Sequence, residues 1–591
     1  MPSSSAPVSH PRYPRVNTAA QLSTILLGPR SAIYRNFCVS CPVIAFPGAR
    51  QSRPETWVSL VRYLAATGQF AKAVDEIALA EKKLADDVKR LAVAQCYDAL
   101  GAQDQAEQAY RAVLEQATSS VAAYRAAGDY FLRAGKPRDA ESVYRKLLEG
   151  DLRPGDADVL AARRGLALAL ARVGSPRAVP EALRLVGLAL DASERLDAST
   201  LAAAPDSRLA QARVLAALPN HALRAKAIEV LDAMQEKQAL PVEDQYQLAR
   251  LLHLHGPEPA NWQKAQAVLK GITTAYPNHA RFLAFHANLL LLHKEVGEAE
   301  ELIARLDKLE ADRKLPPGVL GSVELKARAL EQRGKELQAV ALLQSFAQQK
   351  DALPSRTFLL AGLHGRLGNF QEAVDLCFEV KAKGYREEAY GAVIGLLRAS
   401  KPAASQSAKF QSWQQQSQRV EEAVRTSVQR DEQNLVLRLM LADLMEMQGR
   451  TDQVESLCRG ILTTDPNNLV ALNNLAWLLS GKEGKDAEAL ELIQRAIAQH
   501  GPRPELLDTR AVVYLSLGKQ KEAIQDLEKA VRDAPTPSRY FHLTRAHHLA
   551  KNAPLALAAL QRANDLGLDV QQLHPIDQEV YPRIVGELQK Q

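Results

Sequence analysis

From Arg53 onward the apolar positions follow a helical period, and the helical patterns come in pairs separated by short turns. A glycine falls between the two patterns of a pair, and an alanine follows it five residues later. The pairs are Gly68 and Ala73, Gly101 and Ala106, Gly135 and Ala140, Gly334 and Ala339, Gly368 and Ala373, and Gly518 and Ala523. Gly68 to Gly101 is 33 residues, and Gly101 to Gly135 and Gly334 to Gly368 are 34 each. A fixed period of this length predicts an array of helix-turn-helix hairpins.

Each recurring position has a physical reason. The glycine ends the first helix, where positive φ costs least without a Cβ. The alanine lets the two helix axes approach, which a larger side chain would prevent. Tyr97, Phe131 and Tyr514, four positions before their glycines, are expected to fill the space between hairpins.

The pattern resembles the tetratricopeptide repeat, W-x2-L-G-x2-Y, then A-x3-F, then P. Near the C-terminus, Ala471 to Trp477 with Ala489, Ile493 and Ala496 follows it, with Leu for the leading Trp. The next unit runs Leu507, Arg510, Ala511, Tyr514, Gly518, Ala523, Leu527, Ala530 and Pro535. Another precedes them in Leu441, Ala442, Gly449, Ile461 and Asp465-Pro466, with Val454 where Ala is usual, and Trp57, Leu60, Gly68, Phe70, Ala73, Ile77 and Ala80 make a unit at the other end. The resemblance covers about residues 54–568. It implies an all-α fold, a right-handed superhelical solenoid of about 14 antiparallel helix hairpins, some of them degenerate. The chain resembles multi-repeat proteins of bacterial type, some of which serve polysaccharide export, protein sorting or envelope assembly.

The rhythm weakens in the middle. Gly135 to Gly174 is 39 residues, residues 191–206 are Ala- and Asp-rich, Gly256-Pro-Glu-Pro259 lengthens a turn, and a break at Lys401 to Ser407 precedes a long Gln-rich helix from Phe410 to Arg430. These shifts divide the chain into a leader at 1–53, an N-terminal array at 54–190, a degenerate central array at 191–400, a linker and Gln-rich helix at 401–430, the best-formed array at 431–568 and a capping helix at 569–591. A terminal cap is expected because an array end exposes the face that a neighbour would cover.

Composition changes this picture little. The chain is 47% hydrophobic but only 5% aromatic, which suits a mostly helical protein. The net charge of +6 is local: Arg12, Arg15, Arg30, Arg35, Arg50 and Arg53 account for it, since residues 1–54 hold no lysine and no acid, and the rest has 68 basic and 68 acidic residues. The body therefore carries no basic excess that would point to nucleic acid. The leader is rich in Arg, Ser and Pro and reads as disordered, either a plain extension or a targeting segment. A cytoplasmic location is expected, or an exported or organellar one if the leader is an address. Cys38 and Cys41 form a lone CxxC without the second pair that zinc needs or the strand and helix context of a redox pair. Cys96, Cys377 and Cys458 fall at apolar helical positions, as buried free thiols do. No apolar run approaches the roughly 18 residues of a membrane-spanning helix.

Motifs of chemistry are missing. The chain has no GxxxxGK[ST], HExxH or GxSxG, and Gly481-Lys-Glu-Gly484-Lys485 reads as a hairpin turn rather than a phosphate loop. His253, His255, His279, His286 and His293 gather in the centre, but His286 and His293 are seven apart, too far for shared metal ligation on one helix. No catalytic residue, metal or cofactor is expected. In the resembled family, partners bind the concave face lined by the first helix of each hairpin. Carried over position by position, that face holds Asn473, Asn474 and Trp477, then Glu505, Asp508 and Thr509, then Arg539 and His542. The expected function is a non-enzymatic scaffold or adaptor for protein or peptide partners, with a regulatory or substrate-docking subunit of an enzyme or envelope assembly as the alternative. Asp443 and Asp508, flanking Asn474, would repel a partner's carboxylate, so a clamp for chaperone C-termini is not expected here.

Overall fold

The computed structural model describes residues 53–590 apart from 67–68, 117–119, 150–154, 176, 190–198, 200, 203, 219, 238–239, 256–258, 312–320, 350–352, 404 and 571–572. The leader up to residue 52 with its Cys38 and Cys41, Gly68, the turn at Gly256 and most of residues 191–203 lie outside the described residues. Among those described there are 29 helices and no strands. Twenty-eight of the helices follow one another as 14 consecutive pairs, from Pro54–Ala66 with Phe70–Lys83 to Pro537–Leu549 with Ala553–Asp565, and Pro575–Leu588 comes last.

The chain divides into two compact units, residues 1–109 and 110–591. In the first, Trp57, Val61, Ile77 and Cys96 form the centre of a buried cluster supplied by the helices Pro54–Ala66, Phe70–Lys83 and Asp86–Leu100. In the second, the hairpin logic can be followed atom by atom. After the helix Val121–Arg133, Gly135 takes φ 72° and the Lys136 N–H donates to the Phe131 carbonyl at 2.8 Å. After Pro504–Ser516, Gly518 takes φ 70° and the Lys519 N–H donates to the Tyr514 carbonyl, also at 2.8 Å. This left-handed stop satisfies a carbonyl that the helix leaves open and turns the chain back on itself.

The alanines at the sixth position are fully buried: Ala73, Ala106, Ala140, Ala339, Ala373 and Ala523 are all 0% exposed. Two further units keep the alanine but lack the glycine. Lys294 at φ 63° precedes Ala299, and Lys551 at φ 58° precedes Ala556; both alanines are 0% exposed. Lysine holds the left-handed position at some cost, since a Cβ crowds the following carbonyl there.

Glycine also serves inside helices. Tyr144, 0% exposed, lies with its ring against Gly128 of Val121–Arg133 and Gly165 of Asp156–Val173, while its hydroxyl donates to Asp129 Oδ1 at 2.6 Å. A Cβ on Gly165 would stand 2.3 Å from the ring and one on Gly128 2.6 Å.

The break in rhythm at 401 does not interrupt the core. Trp413, on the 24-residue helix Ser407–Arg430, is 2% exposed, and its indole N–H donates to the Leu397 carbonyl at 2.8 Å. It belongs to one buried cluster running from Ala361 to Val513. Within the second unit, distant hairpins also meet: the helices His221–Lys237 and Gln520–Asp533 touch, and Asn220 Nδ2 donates to Asp533 Oδ1 at 2.6 Å across 313 residues.

Candidate functional site

Three successive first helices, Leu469–Leu479, Pro504–Ser516 and Pro537–Leu549, present the positions singled out by the sequence. Each start is pinned. Asn468 accepts the Ala471 N–H at 3.1 Å, Pro504 occupies the first turn, and Thr536 accepts the Arg539 N–H at 3.2 Å beside Pro537. Such caps set where each helix begins, and so which residues share its inner face.

Four of the eight residues come together. The His542 ring, 2% exposed, lies between two carboxylates: Nδ1 is 2.7 Å from Asp508 Oδ1, and Nε2 is 3.0 Å from Asp577 Oδ2. Arg539 Nε stands 4.0 Å from Asp508 Oδ2. The Trp477 ring approaches His542 at 5.3 Å between centroids. Of the other four, Thr509 is buried at 4% exposure, Asn473 and Asn474 are half-buried, and Glu505 turns to a neighbour on its own chain segment. Asn473 Oδ1 and Trp477 Nε1 are both buried atoms without a hydrogen-bond partner. Glu505 pairs with Arg503 at 2.6 Å.

With a carboxylate oxygen at each ring nitrogen, both nitrogens must donate, so His542 is an imidazolium. Burial opposes that charge, but Asp508 and Asp577 outweigh it and raise the pKa to about 10. Burial would in turn raise Asp577, yet His542 and then Arg545 hold its carboxyl below the ordinary range. Asp577 is 1% exposed, and its Oδ1 lies 3.7 Å from Arg545 Nη1, beyond hydrogen-bond reach.

Asp577 and its neighbour His574 were not among the residues the sequence pointed to. They belong to residues 569–591, read as a cap, yet His574 lies against Trp477 with ring centroids 5.4 Å apart. The local signal was slight, an acid in the first turn of a helix that begins at Pro575. Of the two acids flanking Asn474 in neighbouring units, Asp508 is bridged to Asp577 by His542, and Asp443 is paired with Arg398. An acid can sit beside Asp508 when a shared cation lies between them.

Four of the five central histidines, all but His286, lie against other rings. Trp262 and His293 are 3.9 Å apart, His221 and His255 are 4.2 Å apart, and buried His286 contacts Thr273 Oγ1 at 3.3 Å, with burial lowering its pKa to about 4. Gly481 and Gly484 lie in the turn between Leu469–Leu479 and Asp486–His500, both at positive φ. Cys96, Cys377 and Cys458 are free, 0% exposed thiols whose pKa burial raises to about 12, which leaves them chemically quiet.

Residues 504–536 match the family model of the tetratricopeptide repeat. A TPR repeat-containing protein of Pseudomonas aeruginosa, PA4667, is 26% identical over 128 residues, a stretch that spans 22% of this chain and 22% of that one. Among solved structures, the APC/C hetero-tetramer Cut9–Hcn1 is 12% identical, with 90% of each chain covered at a TM-score of 0.31. A tetratricopeptide repeat protein from Parabacteroides merdae is 17% identical, covering 47% of this chain and 98% of its own at 0.27. The left-handed turns, the buried alanines and the matched repeat at 504–536 agree: the helix hairpins of this chain are similar to tetratricopeptide repeats, and residues 504–536 match one.

Proposed function

We propose that this chain is a non-enzymatic scaffold that captures a segment of a protein partner on the first-helix face of the hairpins between residues 469 and 549. One observation carries the reading: first helices of three consecutive hairpins bring Trp477, Asp508, Arg539 and His542 to one face. Aromatic and Arg side chains beside apolar surface are the residues that anchor interfaces. Two buried polar atoms there, Trp477 Nε1 and Asn473 Oδ1, lack partners, so a peptide backbone could supply the missing acceptor and donor. A preformed array loses little conformational entropy when it orders a flexible segment, which favours capture by scaffolds of this kind. Nothing in the reading calls for nucleic acid or a cofactor, and no helix among the described residues is long and apolar enough to cross a membrane.

The test is affinity capture with the full chain beside an Asn474→Ala/Trp477→Ala variant, read by mass spectrometry. A partner held by the parent and at least tenfold depleted with the variant supports this face. Equal recovery from both, with folding intact, removes it from consideration.

A further inference from the structure

The last helix, Pro575–Leu588, does what a cap requires along one side. Ile584 and Leu588 are buried against Ala556 and Leu560, with Val580, Tyr581 and Val585 packed around them. Its first turn goes further than that. A cap need only cover the final hairpin, whereas His574 reaches Trp477, two hairpins upstream, and Asp577 inserts its carboxylate between His542 and Arg545. His574 and Asp577 thus lie on the face on which the scaffold reading depends, while Val580 to Leu588 cover the last hairpin.

The charges say what this position selects for. Without Asp577 the face presents the cations Arg539 and Arg545, and a His542 with a carboxylate at only one ring nitrogen, against Asp508. Positive charge is then in excess in a poorly hydrated site, and an uncompensated buried charge is unfavourable. An acid in the place of Asp577 faces both Arg545 and His542 and supplies the second acceptor that an imidazolium needs. Arg545 Nη1 and Asp577 Oδ1 stay unsatisfied at 3.7 Å, so the internal segment fills the site imperfectly. A tethered occupant can tolerate this, because its effective concentration is high whatever its intrinsic affinity.

We propose that residues 573–588 are an internal ligand of the Trp477, Asp508 and His542 face, and that a partner binds there by displacing them with an acidic peptide side chain in the place of Asp577. The proposal rests on the scaffold reading for the partner, but the intramolecular contact can be tested without one.

The experiment uses the full chain with Asp577→Arg, and with the isosteric Asp577→Asn in case arginine disturbs packing. The probe is a fluorescein-labelled peptide of residues 569–591, followed by anisotropy. Hydrogen exchange in 575–588 should rise at least tenfold in either variant, while Ala553–Asp565 stays protected. The probe should bind the variants at least tenfold tighter than the parent. A probe carrying Asp577→Asn, or a chain that also carries His542→Ala, should lose at least tenfold of that binding. Unchanged exchange in both variants, equal probe binding by parent and variants, or indifference to the acid of the probe would each overturn the proposal. Exchange of 575–588 that depends on protein concentration would assign the segment to a second copy and overturn it as well. If the exchange and probe results hold but no partner is captured, the scaffold reading fails and the internal contact stands.

Discussion

Gly165 offers a sharp test of how the second unit packs. It lies within the helix Asp156–Val173, where alanine would ordinarily be favoured by about 1 kcal/mol. A Cβ there would stand 2.3 Å from Tyr144 Cζ and 2.7 Å from Cε1, against an ordinary carbon contact of about 3.5–4.0 Å. The ring would have to retreat by more than an ångström, yet Gly128 of the facing helix meets it from the other side and Asp129 holds its hydroxyl at 2.6 Å. Overpacking of this kind costs about 1–3 kcal/mol, and loss of the hydrogen bond adds about 1 kcal/mol. Allowing for the helix preference, Gly165→Ala should destabilise the site by about 1–3 kcal/mol. In a Tyr144→Ala background the obstacle is gone, and the same substitution should stabilise by about 0.5–1 kcal/mol. The predicted coupling is therefore about 1.5–4 kcal/mol with a change of sign. Repeat arrays do not unfold as one cooperative block, so the measurement is native-state hydrogen exchange of the helices Pro137–Glu149 and Asp156–Val173 in the four proteins of the cycle. A Gly165→Ala effect of the same sign and size in both backgrounds would refute the wedge.

Other expectations follow from the same geometry. Ala523→Trp places an indole where Ala523 is 0% exposed, so it should separate the last well-matched hairpin and lower helical content and melting temperature; unaltered circular dichroism and melting would count against the register. Lys551→Gly relieves a left-handed φ of 58° and should slow exchange in Ala553–Asp565 by roughly 1 kcal/mol, whereas faster exchange would mean the lysine side chain contributes more than its strain costs. His542 has a raised pKa, so its contribution is complete below the ordinary value of 6.5 and is lost as pH rises through about 10. Asp577 is lowered, so its contribution is present above its ordinary value of 3.8 and is lost as pH falls below that range. The groups facing them are Asp508, Arg539, Arg545, His574 and the Trp477 ring. Nitrogen NMR of the His542 ring at pH 8 should show both nitrogens protonated, and a neutral ring would contradict the bridge.

The repeat was legible in the chain because its contacts are local. Gly135 and Ala140, or Gly518 and Ala523, act within one hairpin, and the 34-residue spacing reproduces the same neighbour each time. Where lysine takes the place of the glycine, as at Lys294 and Lys551, the turn carries no glycine signal, although Ala299 and Ala556 still mark it. Asp508 and His542, 34 residues apart, hold equivalent positions in successive units, and Trp477 and Arg539 lie about one helical turn to either side of that position in their own units.

What the sequence determined by itself was therefore the unit: the helix pair, its turn, its buried alanine and the face it offers. Only the tertiary structure decided what meets that face. Tyr144 needs glycines from two different helices, Trp477 meets a histidine 97 residues later, and Asn220 meets Asp533 across 313. Such contacts depend on the small rotation between neighbouring hairpins added up over the array, and on the path of the segment that follows it. No local pattern of side chains encodes either quantity, whereas the glycine and alanine rhythm is a local steric requirement and so is written in every unit.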